Sequence, residues 1–112
     1  MKRVIISAAL AIFLAPAAYA KNTAMLEMRI NATCNAMASG SGPASQNVLF
    51  DMCWRGARDA YKGKAATCRN KIKQFDTQAQ KLSGISRAEY VQIGSAYRAG
   101  CNAGESAKNA GL

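Results

Sequence analysis

Residues 46–82, QNVLFDMCWRGARDAYKGKAATCRNKIKQFDTQAQKL, run without a proline and decide the fold class. In the first half, Leu49, Cys53, Gly56 and Ala60 recur at helical spacing on one face. In the second half, Cys68, Ile72, Phe75, Ala79 and Leu82 do the same. The two apolar faces are nearly in phase, so the stretch reads either as one long helix or as two helices with a joint near Gly63. An uninterrupted helix would turn Lys64 and Lys71 into its apolar side. Gly63 would also cost such a helix about 1 kcal/mol against alanine. The reading favours a kink or short break there.

Working outward, residues 24–38 (AMLEMRINATCNAMA) contain no Gly or Pro and are rich in helix formers. Leu26, Ile30, Thr33 and Met37 share a face, with Met25, Met28 and Ala32 as an adjoining stripe. A helix apolar over so much of its circumference is expected to be largely buried. Ser39 to Ala44 is a breaker segment, and Ser45 is a fair N-cap for the helix that follows. On the other side, Ser83-Gly84-Ile85 reads as a tight connection. Ser86 and Glu89 then have capping-box spacing, which places Ser86 at the N-cap of a last helix. That helix is expected to reach about Ala107, with Ile93, Tyr97, Gly100, Cys101 and Gly104 on one face. No strand-like alternation appears, so the chain is expected to be all-α, a small antiparallel bundle of three to four helices.

The N-terminus sets the expected compartment. Met1-Lys2-Arg3 is basic, Val4 to Leu14 is apolar, and Ala18-Tyr19-Ala20 places small residues where a signal peptidase cuts. The apolar run is shorter than the roughly 20 residues a membrane span needs. Residues 1–20 therefore read as a cleaved signal peptide, and 21–112 as one exported domain, periplasmic or secreted, with no transmembrane segment. Without Lys2 and Arg3, that domain carries 13 basic residues against 6 acidic ones, a net charge of +7. Such a charge favours acidic proteins or anionic envelope polymers as partners. Nucleic acid is not expected in that compartment.

Four cysteines, Cys34, Cys53, Cys68 and Cys101, in a small exported chain read as a disulfide framework. No pair has CxxC spacing and there is no histidine, which disfavours a zinc site. Helix direction suggests the pairing. In an antiparallel hairpin, residues equidistant from the turn lie side by side. With a turn at Gly84, Cys68 and Cys101 are nearly symmetric. Cys34 and Cys53 flank the Gly40 to Ala44 loop in the same way. The expected bridges are Cys34–Cys53 and Cys68–Cys101. A Cys53–Cys68 bridge would have to close about 22 Å if one straight helix carried both, far beyond the roughly 7 Å limit. Cys53 and Cys101 each stand three residues before a glycine, Gly56 and Gly104. Such a glycine lets a neighbouring helix approach closely, here read as bringing the cystine partners within range.

The residues for catalysis are sparse. Histidine, the commonest general base, is missing. Glu27, Asp51, Asp59, Asp76, Glu89 and Glu105 form no close pair on one predicted face. No nucleophile-elbow, phosphate-loop or metalloprotease motif occurs. Met25, Met28, Met37 and Met52 could in principle offer thioethers to Cu(I), but their helical spacing reads as core filling. No enzyme, metal or cofactor is expected. Asn31-Ala32-Thr33 matches a glycosylation acceptor by chance.

The most specific surface feature is basic. Arg55, Arg58, Lys62, Arg69 and Lys73 fall within an arc of about 60° on a continuous helix, with Trp54 at its edge. Asp51, Asp59 and Asp76 could neutralise part of it through pairs three or four residues apart. The expected function is a non-catalytic binding protein that docks an anionic or acidic partner through this face. It would serve as an accessory factor of a secretion or conjugation system, or as an immunity or inhibitor protein. The alternative is an envelope-active cationic protein working at the membrane surface.

Overall fold

A computed structural model describes residues 24–63 and 65–111. The expected leader, residues 1–20, lies outside the described residues. Four helices account for most of the remainder: α1 (24–38), α2 (Gln46–Lys62), α3 (Ala65–Gln80) and α4 (Gly84–Asn109).

In α1, Ile30 and Cys34 are buried and pack with Leu49, Cys53, Ala57 and Ala96. Leu26, Met37 and Ala38 lean on the same cluster. The adjoining stripe is not buried as expected. Met25 is 48% and Met28 71% exposed, and Ala32 is exposed as well. The rest of the bundle covers only one face of α1, so the second apolar stripe stays in solvent.

Ser45 begins α2 as its sequence suggests, its Oγ accepting the Val48 N–H at 3.2 Å. That bond satisfies one of the amides the first helical turn leaves unpaired. The loop before it is fastened across the molecule: the Ala44 N–H donates to Gln92 Oε1 of α4 at 2.9 Å. The helix ends at Gly63, whose N–H closes on the Asp59 carbonyl at 2.8 Å. The long stretch is therefore two helices.

After this joint α3 folds back along α2, and Cys68 Sγ lies 3.7 Å from the Gly56 carbonyl oxygen. A disulfide sulfur carries no hydrogen, so this is a packing contact. The end of α3 is capped from α4. Arg87 donates from Nε to the Ala79 carbonyl at 3.0 Å and from Nη2 to the Gln80 carbonyl at 3.1 Å. The start of α4 differs from the capping-box expectation. The helix begins at Gly84, with Ser83 at the N-cap making no side-chain bond. Ser86 and Glu89 are exposed within its first turns. The connection is only residues 81–83, and Gly84 at φ +60° accommodates its abrupt turn.

Consecutive helices are antiparallel, and both expected disulfides are present. Cys34–Cys53 joins α1 to α2 with Cα atoms 5.4 Å apart, and Cys68–Cys101 joins α3 to α4 at 6.2 Å. Helices α2 and α4, by contrast, run parallel. Gly100 sits on Cys53, Gly104 sits on Ala57, and Gln92 reaches Ala44. A Cβ on Gly56, Gly100 or Gly104 would overlap backbone of the opposite helix. Ala57, Ala96, Ala103 and Ala107 are buried too. The two backbones therefore approach as closely as small residues permit.

This corrects the purpose read into the Cys-to-Gly spacing. The glycines do not draw cystine partners together. They join α2 and α4, a tightly packed helix pair with no disulfide between its members. Cystine, glycine seam and cystine thus link α1 to α2, α2 to α4, and α4 to α3.

Candidate anion-docking face and the groove beside it

Burial of Leu49, Cys53, Gly56, Ala57 and Ala60 against α4 and α1 turns the opposite face of α2 outward. Arg55, Arg58 and Lys62 stand exposed there on successive turns. Among the described residues none of them forms an ion pair with a carboxylate. Arg69 and Lys73 are also exposed, but they belong to α3, beyond the Gly63 joint. The five cations are thus a row of three on one helix and a pair on the next, not one straight stripe. Lys73 borders a shallow polar depression with Asn70, Gln74, Thr77 and Gln78. Trp54 is half-buried against the α1–α2 core. Its indole N–H donates to Asn31 Oδ1 at 3.1 Å, so this side chain clips α1 to α2.

The expected local neutralisation takes another form. Asp59 is held from two other helices: Lys71 Nζ lies 3.0 Å from its Oδ2, and the Tyr97 hydroxyl donates a short hydrogen bond to the same oxygen. The Lys71 ammonium also stands 5.8 Å from the centroid of the Tyr97 ring, within cation–π range. Asp76 pairs with Arg98 of α4 at 3.7 Å, both well exposed, a contact of small energetic weight.

Burial by itself would raise the Asp59 pKa. The hydrogen bonds from Tyr97 and Lys71, with the charges of Lys71 and Arg58, outweigh it and bring the pKa below the ordinary aspartate value. Burial, then the hydrogen bond and charge of Asp59, push the Tyr97 phenol well above its usual range. A carboxylate held ionised by two donors is a poor general base near neutral pH. The cluster is built to hold shape and charge.

Next to it, a groove of about 210 Å³ opens between α2, α3 and α4. Arg55, Lys71 and Gln74 form its polar wall; the half-buried Met52, Phe75 and Tyr90 form its apolar floor, with the buried Tyr97 behind them. The rings are tilted against one another, Phe75 to Tyr90 at 5.3 Å and Phe75 to Tyr97 at 5.6 Å between centroids. Sequence reasoning missed this association of Asp59, Lys71 and Tyr97. One signal for it was present, since Lys71 falls at an apolar phase of its helix and a core tyrosine needs a partner for its hydroxyl. Among the described residues no helix is long and apolar enough to cross a membrane. No family model matches this chain, and no curated protein or solved structure matches it either.

Proposed function

We propose that this protein is an exported, non-catalytic binding module that engages an acidic partner protein through the exposed face of α2. Its site of action is the periplasm or the cell exterior. The leader-like sequence of residues 1–20 and the two disulfides support that location, since cystines persist in oxidising compartments. The observation that carries the binding role is the row Arg55, Arg58 and Lys62. It is exposed and makes no ion pair among the described residues, in a domain of strongly positive net charge. Arginine at such positions is suited to carboxylate recognition, because its planar fork makes paired hydrogen bonds.

The test is capture from an envelope extract of the native host by the oxidised domain, with and without Arg55→Glu, Arg58→Glu and Lys62→Glu together. The triple variant should keep the wild-type melting temperature and lose the captured acidic protein. Undiminished capture by a folded triple variant ends this reading.

A further inference from the structure

We infer that the groove between α2, α3 and α4 seats an acidic peptide segment of the partner protein. A partner carboxylate bonds to Arg55, and an adjoining aromatic or long apolar side chain rests on the half-buried floor of Met52, Phe75 and Tyr90. This rests on the docking reading above and assigns the place on the basic face where the partner is held.

Size limits the occupant first. At about 210 Å³ the groove is smaller than the roughly 300–1,000 Å³ of small-molecule and cofactor sites. It suits one or two side chains of a larger partner. Polarity comes next. No carboxylate lines the groove. Asp59, which touches the groove residues Lys71 and Tyr97, is occupied by both of them. Lys71 is correspondingly committed, whereas Arg55 makes no ion pair among the described residues. The wall thus offers one uncommitted guanidinium and the Gln74 amide above a ring-lined floor. A simple polyanion would leave that floor unused. An acidic side chain next to an apolar one uses both halves.

Rigidity adds to the case. The three walls are tied by the glycine seam between α2 and α4, by Cys68–Cys101, and by the Tyr97–Asp59 hydrogen bond. Phe75 is wedged so closely on Gly94 that a Cβ there would lie 3.1 Å from its own Cβ. The backbone walls of the groove therefore need little ordering on binding. Beyond the groove, Arg58 and Lys62 extend the positive face along α2 for further acidic residues of the same segment.

The experiment uses the oxidised domain and a fluorescein-labelled peptide, Gly-Glu-Asp-Phe-Asp-Glu-Gly, followed by fluorescence anisotropy at low salt. Arg55→Gln and Gln74→Glu alter exposed side chains, so circular dichroism should report an unchanged fold. Each should weaken binding about tenfold or more, the effect of losing or opposing a charged hydrogen bond. Arg69→Gln and Lys73→Gln should each change it less than about twofold, as exposed charges outside the groove do. A peptide with Ala in place of Phe should bind several-fold more weakly.

No measurable binding of the peptide overturns the proposal. Equal losses in all four variants, or indifference to the Phe-to-Ala change, also overturn it, and both leave the broader docking reading standing. So does capture from extract that needs Arg58 and Lys62 but not Arg55. A poly-dT oligonucleotide or inorganic polyphosphate that binds more tightly than the peptide, with the same dependence on Arg55, overturns the protein-partner assignment.

Discussion

A methyl group added at Gly100 would overlap the carbonyl oxygen of Cys53 and stand 3.0 Å from the Ala57 nitrogen. Backbone atoms in the middle of a packed helix cannot step aside as a side-chain tip can. Gly100→Ala should therefore cost about 3 kcal/mol or more in urea unfolding, at the upper end for overpacking. Gly40→Ala is the contrast: its nearest neighbour is the Met37 carbonyl oxygen at an ordinary 3.6 Å. That change should be neutral or stabilise by up to about 1 kcal/mol. Asp59 makes a pH prediction. Its folded pKa is depressed, so its stabilisation is complete above the unfolded value of about 3.9 and is lost as pH falls through the lower folded value. Asp59→Asn should lower stability at neutral pH and flatten the acid limb below about pH 4, as read by urea midpoints across pH. At this scale the sequence shows which residues are small or charged but not which backbone they face. Gly56 and Gly104 were recognisable as close-approach positions, yet their true neighbour was hidden because no local pattern specifies that α2 packs on α4.

The elements were more legible than their joints. Apolar phase located all four helices, and hairpin symmetry about Gly84 and the Gly40 to Ala44 loop gave both cystine pairs. The break at Gly63 was foreshadowed by two lysines that an unbroken helix would have buried. Its consequence was not foreshadowed: folding α3 back separates Arg69 and Lys73 from the α2 row and brings Lys71 to Asp59. The start of α4 was misread because Ser86 and Glu89 have capping-box spacing, while Arg87 is already engaged with the end of α3. Arg87→Ala should therefore strip the last turn of α3 of two carbonyl partners, cost about 1 kcal/mol, and speed amide exchange there. Ser86→Ala should leave both quantities unchanged within about 0.5 kcal/mol.

The large side chains fully buried among the described residues are few, with Tyr97 and Leu49 foremost. A core built mostly of alanine, glycine and cystine supplies little transfer energy from bulky groups. Cross-links then matter more than in a larger domain. On loop-closure grounds each bridge contributes roughly 3–4 kcal/mol. Replacing Cys34 and Cys53 together with Ala should cost about that much and release α1 to proteolysis before the other helices. A cross-linked bundle also opposes the membrane-acting alternative, since locked helices cannot spread on a bilayer. The oxidised domain should release no contents from anionic vesicles in a dye-leakage assay.

The same two bonds govern how far the polypeptide can be drawn out. Between Cys34 and Cys53, and between Cys68 and Cys101, tension runs through sulfur, so spans of 19 and 33 residues are withheld from any stretch. A pore wide enough for a single extended strand passes the reduced polypeptide and stops the oxidised one at the first lasso. Oxidation is therefore a ratchet: the protein stays on whichever side of such a pore its thiols close.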